Sequence, residues 1–144
     1  MATVTAATVR AAVKAASDAL GTHTWYSVWS PAKDRDTNLV YPCVMWKDWT
    51  SRHPEDSLGI LQHVQLVQLL VVATVDSDRS AAERDAAVEA SHAAAIQIVQ
   101  GLRAAGELTI ENVSITTQWD EFTTLETGVI LTFTATGQAA CLTP

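Results

Sequence analysis

Positive charge is scarce in this sequence. Its 144 residues hold nine Lys and Arg against sixteen Asp and Glu, for a net charge of −7. The basic residues (Arg10, Lys14, Lys33, Arg35, Lys47, Arg52, Arg79, Arg84 and Arg103) are scattered and build no stripe. A nucleic-acid surface needs clustered cations to neutralise phosphates, so the composition argues against that class. An acidic surface instead favours solubility and repels DNA. Cysteine is nearly absent. Cys43 and Cys141 stand far apart, with no second pair beside either, which argues against a disulfide framework or a zinc site and fits a reducing compartment. The six glycines never reach a nucleotide-binding spacing, so there is neither a phosphate loop nor a dinucleotide fingerprint. G-x-S-x-G, H-E-x-x-H and C-x-x-C are missing as well. The most apolar run, residues 67–75, is too short to cross a bilayer as a helix. Near the start, Arg10, Lys14 and Asp18 interrupt any signal-peptide core, so the chain is expected to stay in the cytosol where it is made.

What is present reads as one globular domain: 48% of the residues are hydrophobic and only 17% charged. Residues 6–20 form an amphipathic helix with Val9, Val13, Ala16 and Leu20 on one stripe, capped by Thr5 or Thr3 and followed by Gly21. A short aromatic strand follows over residues 24–30, with Trp25 and Trp29 on one face. Residues 31–38 are a polar turn. A second strand spans residues 39–49, and Pro42 places it at an edge or a bulge. Residues 50–59 are the longest obvious loop. Residues 61–75 carry the strongest strand signal, about 50 Å if straight at roughly 3.3 Å per residue. Both of its phases are apolar, with Val67, Leu69, Val71 and Val75 against Val64, Leu66, Leu70 and Val72. Such a strand must be covered on both faces.

The pair Ser80 and Glu83 opens a second helix in the S-x-x-E spacing. It runs to about Ala105, with Val88, His92, Ala95, Val99 and Leu102 on its stripe and Gly106 as its stop. Gly101 within it is expected to allow close packing on the sheet. Strands over residues 108–119 and 128–137 close the chain, joined by the hairpin connection 120–127. The last strand alternates Val129, Leu131, Phe133 and Ala135 with threonines. The order α-β-β-β-α-β-β implies an α+β fold, with a mostly antiparallel curved sheet of about five strands and both helices on one face.

Candidate chemistry is thin. Asp76, Asp78, Glu83 and Asp85 offer carboxylates to a hard cation, but they lack the glycine and closing glutamate of a calcium loop, and acids suit a helix start. No two of His23, His53, His63 and His92 lie within four residues of each other. His92, on the helix stripe, reads as a hydrogen-bonded core residue rather than a base. Nothing in the sequence activates Cys43 as a nucleophile. No catalytic residue, cofactor or metal is therefore expected. Five tryptophans are many, and four of them fall in the first two strands. Trp25 and Trp29 read as core. Trp46 and Trp49, with Arg52, His53, Glu55 and Asp56 of the adjoining loop, read as an interface to another subunit.

The layout resembles the small tail-terminator and tail-completion proteins of long-tailed bacteriophages. The resemblance lies in the helix at 6–20, the strands through Val75, the helix start D-S-D-R-S-A-A-E-R-D at 76–85 and the closing T-G-V-I-L-T-F-T-A-T at 127–136. It covers nearly the whole chain as pattern. It implies a homo-oligomeric ring, usually of six subunits, that caps the tail tube and gives the head its attachment surface. Its partners would be the tail-tube protein and head–tail connector proteins, with DNA passing through the lumen. A head-completion role is the close alternative. A small ligand-binding or pocket enzyme domain lined by tryptophans is the competing reading from another class.

Overall fold

In the computed structural model the described residues are 3–27, 39–55, 57–75, 80–119 and 126–138, and the side chains of Asp48, Trp49, Thr74, Val75, Gln118, Trp119 and Glu126 lie outside them as well. The elements run α1 (Ala6–Asp18), β1 (Thr24–Tyr26), β2 (Cys43–Arg52), β3 (Gln62–Val75), α2 (Ala81–Ala105), β4 (Thr109–Trp119) and β5 (Glu126–Gln138). The fold is α+β, in the element order that the sequence implies. The five strands form one sheet in the order β1-β2-β3-β5-β4. Among the described residues only β1 and β2 pair in parallel, and the other three ladders are antiparallel.

Local chemistry sets the helix ends. Thr5 caps α1, accepting from the Thr8 backbone N–H at 3.2 Å, while Thr8 Oγ1 accepts from the Thr5 N–H at 2.7 Å. Two orphan donors are thereby satisfied. Ser80 caps α2 through the Glu83 N–H at 3.3 Å. Gly106 ends α2 at φ 72°, in the left-handed region where a side chain is strained. In the last turn, Arg103 donates to the Ile110 carbonyl at 3.1 Å and ties the helix to β4.

Both helices lie on one face of the sheet. Val9 and Val13 of α1 and Ala94, Ala95, Ile98, Val99 and Leu102 of α2 pack on Val67, Leu69, Val71, Val129, Leu131, Phe133 and Ala135. The alternation expected for the last strand is therefore present: its apolar phase is buried, while Thr132, Thr134 and Thr136 are half-buried on the other side. That opposite face has its own cluster at one end, where Cys43, Met45, Leu70 and Val72 pack with Tyr26, Tyr41 and Ile130.

Several expectations need correction. The second strand begins after Pro42 rather than at residue 39, and it continues to Arg52. On its outer side β1 pairs only with Cys43–Met45, so residues 46–52 have no outer partner among the described residues, and a bulge lies between Trp46 and Asp48. The presumed loop at 50–59 is largely a hairpin. Its two sides bridge at Glu55 and Leu61, and the Gln62 N–H donates to the Pro54 carbonyl at 2.9 Å. Gly101 meets α1 rather than the sheet: a Cβ there would sit 3.7 Å from the Ala16 Cβ. Residues 31–38, Trp29, Asp76, Asp78, Cys141 and most of the 120–127 connection lie outside the described residues.

Candidate functional site

The β2–β3 hairpin extends past its ladder and ends in a bridged tip. Backbone pairing holds this extension, so its apolar side chains are presented on a stiff support rather than a loose loop. Leu58 is 82% exposed, with Ile60 at 40% and Leu61 at 41%. Gly59 turns the tip at φ 77°. Arg52, His53 and Glu55 are also exposed here. Asp56 lies outside the described residues. Trp49 is in β2, with its backbone paired to Val67, but its side chain is likewise outside.

Trp46 is not part of this surface, which corrects its assignment as an interface residue. It is 4% exposed and belongs to the core beneath α1. Its ring meets Trp25 edge-on, with centroids 6.2 Å apart. The Arg10 guanidinium lies 5.7 Å from its centroid, within cation–π range. The reason is register: Trp46 pairs with Leu69, whose phase faces the helices. The apolar signal at the tip comes instead from Leu58, Ile60 and Leu61. These residues were legible as apolar, but were masked by the polar run around them.

Behind the tip lies a polar chain that sequence spacing concealed. His53 and His63 are ten positions apart, yet the hairpin brings His53 Nε2 within 3.0 Å of His63 Nδ1. The rings meet edge-on with centroids 4.9 Å apart. His63 is 3% exposed, and its Nε2–H donates to the fully buried Gln65 Oε1 at 2.9 Å. One proton lies between the two rings, so the contact requires that they not both donate. Gln65 Nε2 is buried without a partner. The arrangement fastens the base of the hairpin to the sheet. It does not assemble a nucleophile with a base.

His92 is half-buried at the margin of α2's packed stripe, which centres on Ala87, Ser91, Ala94, Ala95, Ile98 and Leu102. No hydrogen bond reaches its ring among the described residues, contrary to the expected core pairing. Of the acidic cluster, Glu83 and Asp85 are exposed in the first turns of α2. Cys43 is buried.

A groove of about 630 Å³ runs between the N-terminal segment, the end of α2 and the adjoining ends of β3, β4 and β5. Its described walls include Thr3, Val4, Thr8, Gln62, Glu107 and Thr136, and none of the tryptophans. The tryptophan-lined pocket of the competing reading is not this cavity. Among the described residues, no three His, Cys, Asp or Glu side chains converge to hold a metal ion. No described helix is long and apolar enough to cross a membrane. The chain matches no protein-family model, and no curated protein is significantly similar to it in sequence.

Proposed function

We propose that this chain is a structural assembly subunit that ends a bacteriophage tail, forming a ring that caps the tail tube and receives the head. The observation that carries the assembly role is the hairpin tip. Leu58, Ile60 and Leu61 are large, apolar and exposed at the end of a paired extension. Leaving three such side chains in water has no benefit to a solitary molecule, whereas a neighbouring subunit would cover them. The tail-end part of the reading rests on the element order and on the resemblance of layout. A net charge of −7 suits a ring through which DNA slides without sticking.

The work of such a ring is geometric rather than catalytic. It binds the last tube ring through one surface and offers a different surface on its other side, which head-to-tail packing of one small domain supplies. Removing the gene should give tubes of uncontrolled length, or tails without heads, while heads still fill with DNA. A head-completion protein would give filled heads that fail to join tails of normal length. Electron microscopy of a lysate lacking the gene separates these outcomes, and infectious particles of normal form would overturn both.

A further inference from the structure

The register of the β2–β3 hairpin sets two histidines directly opposite each other. Arg52 pairs with Val64 inside the ladder and Glu55 bridges Leu61 beyond it, so the positions between them match His53 with His63. Opposite residues of an antiparallel pair share one face, with Cβ atoms about 4.5–5.5 Å apart. Pairing on either side fixes both backbones, so the rings are held together before any ligand arrives. His53 Nε2 and His63 Nδ1 lie 3.0 Å apart. Gln65 decides what the inner ring presents. Its Oε1 only accepts, so the His63 proton sits on Nε2 and the Nδ1 lone pair is left facing His53. A histidine that ligates a metal is oriented in this way, by donating its other N–H to a fixed acceptor. His63 and Gln65 are buried, whereas His53 is exposed and its ring can turn. By alternation Glu55 stands on the same side of the hairpin as His53, and Arg52 on the other.

We propose that His53 Nε2 and His63 Nδ1 bind a zinc ion, with water in its remaining positions. Neutral imidazole is a preferred zinc ligand, and the bond is about 2.0–2.1 Å long. At that length, two nitrogens 3.0 Å apart subtend roughly 95° at the ion, and a small turn of the His53 ring opens this toward the tetrahedral angle. The proton between the rings moves from His53 Nε2 to His53 Nδ1, so both ligands stay neutral and no net proton is released. The acidity of the chain, and Glu55 on the same side, favour a cation here. No third described His, Cys, Asp or Glu side chain joins the pair, so the site is open rather than a closed structural one. Bound zinc ties the two strands together at the base of the exposed tip. The inference goes beyond the tail-end reading and does not depend on it.

The test is titration of the full chain with zinc chloride, followed by calorimetry and by the imidazole C–H signals in NMR. One ion per chain is expected. The His53 and His63 signals should shift together, while those of His23 and His92 stay in place. His53→Gln changes an exposed side chain without touching the core, and should weaken binding by about ten-fold or more, since even an outer partner of a metal ligand is worth that much. His92→Gln should leave binding unchanged. Absence of binding at millimolar zinc overturns the inference. So does binding that His53→Gln leaves intact, or that moves the signals of His23 or His92 instead.

Discussion

The two faces of the sheet are made by the same strands, yet they meet different fates. On the helix-covered face, Val67, Leu69 and Val71 of β3 are all fully buried. On the opposite face the same strand runs from Val72 and Leu70, buried, to Leu66, which is 42% exposed, and then to Val64, buried again. Around Leu66 the ladder partners are Thr50 and Thr134. One face is thus a continuous core, and the other is buried at both ends and open between them, where threonines flank Leu66. Alternation along a strand reports which residues share a face. It does not report what lies over them.

The largest expected effect tests that contrast directly. Phe133→Ala, at a fully buried position under the helices, should cost about 3–5 kcal/mol of stability. Leu66→Thr, on the other face, should change the free chain by about 0.5 kcal/mol or less. Denaturant unfolding of both variants measures the difference. If Leu66→Thr is as costly as Phe133→Ala, the opposite face is as closely packed as the first and the contrast fails.

Next in size is Gly128→Ala. A Cβ at Gly128 would collide with the Val71 carbonyl and crowd Val72 Cα. Backbone cannot turn aside as a side chain can, so about 1–3 kcal/mol should be lost. Retained stability there would mean that the β3–β5 ladder yields more than its register suggests. A comparable loss, about 1–3 kcal/mol, should follow His63→Ala, because Gln65 would be left buried with its carbonyl oxygen also unpaired. His53→Ala removes an exposed ring and should cost less. Equal losses would mean that the chain's stability resides in the contact between the two rings rather than in burial of the inner one.

These cases show what was legible. The element order, both helix caps and the buried phase of β5 follow from local rules: a hydroxyl before an apolar stripe, a glycine after it, and alternation of two. Trp46 was misread because its placement depends on register, and the bulge beside it cannot be seen in the spacing of side chains. The His53–His63 contact was missed for the reverse reason. Proximity was judged along the chain, while a hairpin brings distant positions together. The boundary of β2 was displaced because Arg52 looks like loop until pairing with Val64 claims it. In each case the deciding information is non-local.

The smallest expected effect separates burial from exposure at a single ring. Burial lowers the pKa of His23 from its ordinary value, by withdrawing water from the charged imidazolium. In the unfolded chain the ring has its ordinary value, about 6.5. As pH falls through that value the unfolded state takes up a proton that the folded state resists, so the unfolded state is favoured. The neutral ring's contribution is therefore complete above the unfolded pKa, and it is lost as pH falls toward the lower folded one. A His23→Gln variant removes the titration. Between pH 7.5 and 5.5 the parent should lose slightly more stability than this variant. Parallel pH profiles from calorimetry would show that His23 is as well solvated in the folded chain as in the unfolded one.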